Sequence, residues 1–211
     1  MSDKSKSASY PVSLKIDYPD RDLNRLTSAF RFVFLVPIVM VLVLVSGPSW
    51  DSANQAWRFP FAVGGIVFIP TLLMLLFRWK YPRWWFDWNL NLSRFGLRVA
   101  AYVTLLTDGY PSTDEEQTVH LTMRYPEVTR ELKVGLPLVK WFLAIPHYAV
   151  LAFLFVGVLG AVIIAWFAIL FTARYPRGLF DFVVGVMRWA VRVSAYAFIL
   201  VTDVYPPFSL E

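Results

Sequence analysis

YPRWWFDWNLNLSRFGLRVAAY, residues Tyr81 to Tyr102, aligns without gaps onto YPRGLFDFVVGVMRWAVRVSAY, residues Tyr175 to Tyr196, with 10 of 22 positions identical. Both copies then run into the same ending, Thr107, Asp108, Tyr110 and Pro111 in the first and Thr202, Asp203, Tyr205 and Pro206 in the second. Upstream the recurrence continues. Val12, Leu14 and Ile16 alternate with polar residues and lead to Tyr18-Pro19, while Val119, Leu121 and Met123 do the same before Tyr125-Pro126. A period of two marks short half-buried strands, and self-similarity over about a hundred residues marks a doubled unit. The sequence divides into a disordered polar tail (1–10), a first repeat (11–111), an acidic linker STDEEQ (112–117) and a second repeat (118–211).

The surroundings of these segments are too apolar for a water-soluble domain. Of 211 residues 57% are hydrophobic and 17% charged, and the mean hydropathy is +0.53. Uncharged runs extend over Phe32–Trp50, Phe59–Phe77 and Trp141–Ala173, lengths that match membrane spans. The fold class expected is mainly α and integral to a membrane. Each repeat carries a short β-strand, a transmembrane helical hairpin and an Arg-bearing amphipathic interfacial helix, and the two strands pair in a small cytoplasmic layer. The first hairpin turns in the polar loop Ser46–Arg58, the second within Gly157 to Gly160. An even number of crossings puts the repeats in one orientation, related by a two-fold along the membrane normal.

Of the 20 Lys and Arg, only Arg58 falls on the far side of this layout, so both termini are expected to be cytoplasmic. The second run is short for a hairpin, since 33 residues make about 50 Å of helix against two crossings of about 30 Å. Snorkelling by Lys140 and Arg174 would lengthen its arms. A hairpin that penetrates partway is one alternative. A single long tilted helix ranks last, because it would carry Arg174, Arg177, Arg188 and Arg192 to the outside.

The candidate site residues sit at the helix starts and along one helix face. Pro82 and Pro176 suit a first helical turn, and Arg83 to Asp87 and Arg177 to Asp181 stand at i,i+4, with Arg174 just upstream. Asp181, Gly185, Arg188 and Arg192 form one narrow stripe, matched by Asp87, Asn91, Arg94 and Arg98. Asp108 and Asp203, at the helix ends, are candidate partners. Two arginines within a spanning helix cost about 2.5–3.5 kcal/mol each, so these helices are expected to lie in the interface. Structural ion pairing is the commoner reading of such a stripe; a hold on anionic lipid headgroups is the sharper one.

No catalytic residue, metal ligand or cofactor is assigned. The chain has no Cys, and His120 and His147 stand at no recognised ligand spacing. The Trp84, Trp85 and Trp88 cluster reads as an interfacial belt. The net charge of +5 flanks apolar segments, which points to anionic lipid and away from nucleic acid.

At Tyr18-Pro19, Trp141 to His147, Ala165 to Thr172, Arg174 to Asp181 and Thr202 to Phe208 the chain resembles the bacterial domain-of-unknown-function 4389 family, closely over residues 121–210 and as a divergent copy over 14–111. The resemblance implies a multi-pass protein of the bacterial cytoplasmic membrane and no established reaction. The function expected is that of a non-enzymatic accessory or scaffold subunit, partnered by membrane lipids and by another membrane protein or its own second copy. The alternative is binding or movement of anionic lipid.

Overall fold

The computed structural model describes residues 10–19, 22–31, 36–37, 49–51, 56–58, 63–115, 117–133 and 135–211. The tail 1–9, most of the Phe32–Trp50 run and part of the Ser46–Arg58 loop lie outside the described residues.

The two alternating segments become β1 (Val12–Ile16) and β4 (Val119–Met123), paired antiparallel with Leu14 opposite Leu121. The expected pairing of the two strands is thus present. Their odd positions are buried, from Val12 at one end to Met123 at the other, and the outer face carries Ser13, Lys15, Thr122 and Arg124. There His120 Nε2 meets Asp17 at 2.9 Å, and this bond, followed by that to Lys15, holds the Asp17 carboxyl below the usual carboxylate range. Within the polar Ser46–Arg58 segment, β2 (Ser49–Asp51) and β3 (Ala56–Arg58) form a second antiparallel pair.

The helices are α1 (Arg25–Ala29), α2 (Val63–Arg78), α3 (Arg83–Val103), α4 (Val128–Glu131), α5 (Leu136–Leu143), α6 (Ile145–Thr172) and α7 (Arg177–Ala197). The two quoted segments form α3 and α7, each 21 residues long and each preceded by an extended proline, Pro82 or Pro176. Proline fixes φ and lacks the amide hydrogen that a first turn leaves unbonded, so both helices start where predicted.

Packing is crosswise. α7, late in the chain, lies against β1, and α3 lies against β4. Each strand therefore covers the helix of the other half, which locks the two halves together. α7 is the central element, with β1 on one side and α6 on another, and Val183, Val186, Trp189, Val193 and Tyr196 are buried. Its apolar face is filled by protein, a correction to the interfacial placement expected for it. α3 is more open, with Trp84 and Trp88 exposed.

A second correction concerns the hairpin at Gly157 to Gly160. α6 runs unbroken for 28 residues through both glycines, about 42 Å, and with α5 makes a helical run from Leu136 to Thr172. No proline or polar side chain interrupts His147 to Phe171 in a way that would stop a helix; Pro146 sits in the first turn, where it is tolerated. Gly157 serves packing and not turning: a Cβ there would come within 3.3 Å of the Phe182 ring. Among the described residues this is the one helical run long and apolar enough to cross a membrane, and 22% of its most apolar window is buried. Phe153, Val156, Leu159, Ile164, Phe167 and Phe171 are exposed along it.

Candidate functional site

Two buried ion pairs and four arginine arms form the polar framework. Arg31 Nη2 lies 2.6 Å from Asp108, with the two side chains 3% and 12% exposed; Lys140 Nζ lies 2.6 Å from Asp203, at 0% and 11%. The second carboxylate oxygen accepts a main-chain amide in each case, Asn24 N–H for Asp108 and Lys133 N–H for Asp203. Each cation also donates to a threonine carbonyl, Arg31 to Thr107 and Lys140 to Thr202, and sits against a tyrosine ring, Tyr102 or Tyr196. Burial draws the Arg31 guanidinium below its ordinary value, and the charge of Asp108 opposes that shift. The pairing is what makes this burial tolerable.

Asp108 and Asp203 were candidate partners of the helix arginines. Their partners are instead Arg31 and Lys140, which precede the long apolar runs. The signal for this lies in the sequence: Arg31 and Lys140 are both 109 residues apart, as are Asn24 and Lys133 and also Ile38 and His147.

The arginines of the stripe reach main-chain carbonyls. Arg94 Nε donates to Leu121 on β4 and Arg188 Nε to Leu14 on β1, both across the crosswise contact. Arg98 donates to Ser112, and Arg192 to Ser209 and Glu211. Arg188 also donates to Leu210, and Arg94 to the Asn91 side chain. Burial, then the neighbouring Arg188, lowers the pKa of Arg192. Gly185 has no Cβ because Leu210 fills that space; an added Cβ would lie 2.9 Å from Leu210 Cβ.

Arg83 and Arg177 do not join Asp87 and Asp181 in ion pairs. Their guanidinium groups stand over Tyr125 and Tyr18, at 5.1 and 4.5 Å from the ring centroids, and both aspartates are exposed. The tyrosine hydroxyls close the arrangement, Tyr125 donating to Tyr81 O and Tyr18 to Tyr175 O. Arg174 donates to Asp22 at 3.1 Å, and Leu23 N–H to Ala173 O. Both ends of the α5–α6 run are therefore tied to the same body: Lys140 to the segment after α7, and Ala173-Arg174 to the segment after β1.

His147 is enclosed. Its Nδ1 accepts from Trp189 Nε1 at 3.1 Å, and its ring stacks on Phe208 at 4.0 Å. Among the described residues no three of His, Asp or Glu come together as a metal would require. Two recesses flank α3: an apolar one of about 330 Å³ between α3 and α7, containing Phe155, Met187 and Val191, and a polar one of about 530 Å³ beside Arg94, Arg98, Asp114 and Thr122.

Residues 137–209 match the family model described as Domain of unknown function (DUF4389). The DUF4389 match contains α5 from its second residue, α6, α7 and the Lys140–Asp203 pair, and falls inside the segment whose motifs resembled that family. No curated protein and no solved structure matches the chain.

Proposed function

We propose that the chain is a doubled membrane module that acts as a non-enzymatic scaffold or accessory subunit, inserted from one side of the bilayer. The observation that carries this is the apolar, uncovered side of α6 on a helix anchored at both ends to the polar body. Each large apolar side chain on that side contributes about 1.5–3 kcal/mol on leaving water, so a hydrocarbon or protein surface is its natural environment. A direct crossing fits poorly. α6 alone is about 42 Å long against a hydrocarbon core of about 30 Å, so burying its whole length in one crossing takes a tilt of about 45°, past the usual limit of about 40°. Lying along the body, α6 presents its open face to the membrane core or a partner, while the polar outer face of the sheet meets cytoplasmic water. This layout also keeps Arg174, Arg177, Arg188 and Arg192 on one side, as the positive-inside bias asks.

The recurrence of the ion pairs, the strand contacts and the tyrosine bonds supports a tandem duplication beyond the DUF4389 match. It also supports a mechanical role, because the chemistry that recurs in each half is spent on internal bonding. In mild detergent the protein is expected to purify with a defined membrane protein or as a dimer, detected by mass analysis. A reproducibly solitary monomer would refute the scaffold reading.

A further inference from the structure

The two halves differ at one corner, where α2 meets α3. In the second half the cation after the apolar helix, Arg174, is held by Asp22, and Leu23 N–H closes on Ala173 O. The cation matching Arg174 is Lys80 of the first half, 94 residues earlier, and the carboxylate matching Asp22 is Glu131 of the second half, 109 residues later. Glu131 is taken by Arg124. Among the described residues no carboxylate pairs with Lys80, Arg78 or Arg83, and all three cations are exposed. Arg78 has no charged counterpart, since Thr172 stands at its place.

The backbone gathers these cations over an apolar floor. Trp79 adopts φ 49°, the left-handed region that glycine usually supplies, and Lys80 N–H returns to Met74 O, six residues back. A recess of about 390 Å³ there is lined by Met74, Phe77 and Pro82 together with Arg78 and Lys80. Trp84, 68% exposed, and Trp88 follow Pro82 on the first turns of α3, where the second half has Gly178 and a phenylalanine. Apolar side chains, three cations without a carboxylate partner among the described residues, and exposed indoles suit a phosphate joined to an acyl glycerol.

We infer that Arg78, Lys80 and Arg83 form a phosphate site for the headgroup of an anionic phospholipid, whose acyl root rests on Met74 and Phe77. Arg83 follows Pro82 of the recess directly in the chain, with its guanidinium over the Tyr125 ring. The inference rests on the membrane placement proposed above, and the test separates the two. The full chain is reconstituted in vesicles of equal phosphatidylglycerol and phosphatidylcholine, extracted gently, and its retained lipid is quantified. Wild type is expected to enrich phosphatidylglycerol by about fivefold or more. R78Q/K80Q/R83Q is expected to bring that ratio to the bulk value while still floating with pure phosphatidylcholine vesicles. R124Q/R130Q/R174Q, which removes equal charge from carboxylate-paired sites, is expected to keep the enrichment. No enrichment in wild type, or equal loss in both triple variants, would overturn the site. Displacement of the lipid by excess inorganic phosphate would assign the cations to a soluble anion and overturn the lipid assignment. Failure of the wild type to float would instead refute the membrane placement.

Discussion

Replacing Asp203 by alanine is expected to cost about 3–5 kcal/mol of unfolding free energy, because Lys140, fully buried, loses its counter-charge and Lys133 N–H loses its acceptor. The same reasoning applies to Asp108 and Arg31. The double variant K140M/D203L is expected to recover most of the loss, since an apolar pair of similar volume removes the desolvation cost together with the attraction. Thermal and chemical unfolding in a fixed detergent measures both. A D203A protein within about 1 kcal/mol of wild type would mean that the clasp is solvated, and the anchoring of the α5–α6 run would lose its basis.

Gly185→Val is the second large effect. A Cβ at 2.9 Å from Leu210 Cβ and 3.0 Å from Leu210 O, with two methyl groups beyond it, forces the segment Ser209–Glu211 off α7. Arg188 and Arg192 then lose three main-chain acceptors between them. The cost expected is about 1–3 kcal/mol, and amide exchange of residues 208–211 should rise far more than that of the sheet. Unchanged exchange there would show that the segment has another hold on the molecule. The first half supplies the comparison: Asn91 occupies the position of Gly185, its side chain bonds Arg94, and the chain after Pro111 turns away toward β4.

Much of the architecture was legible. The strands announced themselves by strict alternation, and α3 and α7 by proline, the arginine stripe and their mutual identity, because these patterns reflect local rules of period and capping. The β1–β4 pairing followed from the matched strands and their common Tyr-Pro endings. Three things were not legible. A 33-residue uncharged run has the composition of either a tight hairpin or one helix, and nothing local distinguishes a glycine that turns the chain from one that admits Phe182. The exchange of strands between halves depends on tertiary contacts, and no periodicity records which helix a strand will cover. The partners of Asp108 and Asp203 lay 77 and 63 residues upstream, hidden because spacing rules reach only a turn or two along a helix. The arginine stripe is readable from spacing as one face of each helix. What it touches, the main-chain carbonyls of β1, β4 and the segments after each helix, was beyond a sequence reading, since carbonyls leave no mark in side-chain identity.

The placement of α6 decides the account. The chain has no cysteine, so single cysteines introduced at Glu127, before α5, and at Thr172, at the end of α6, report each end without further change. Both side chains are exposed. A maleimide that does not cross membranes is added to intact cells and, separately, to inverted membrane vesicles. One-sided insertion predicts that both positions react in the inverted vesicles and neither in intact cells. Labelling of Thr172→Cys from outside, with Glu127→Cys reached only from inside, would mean that the helix crosses the bilayer and would contradict the account.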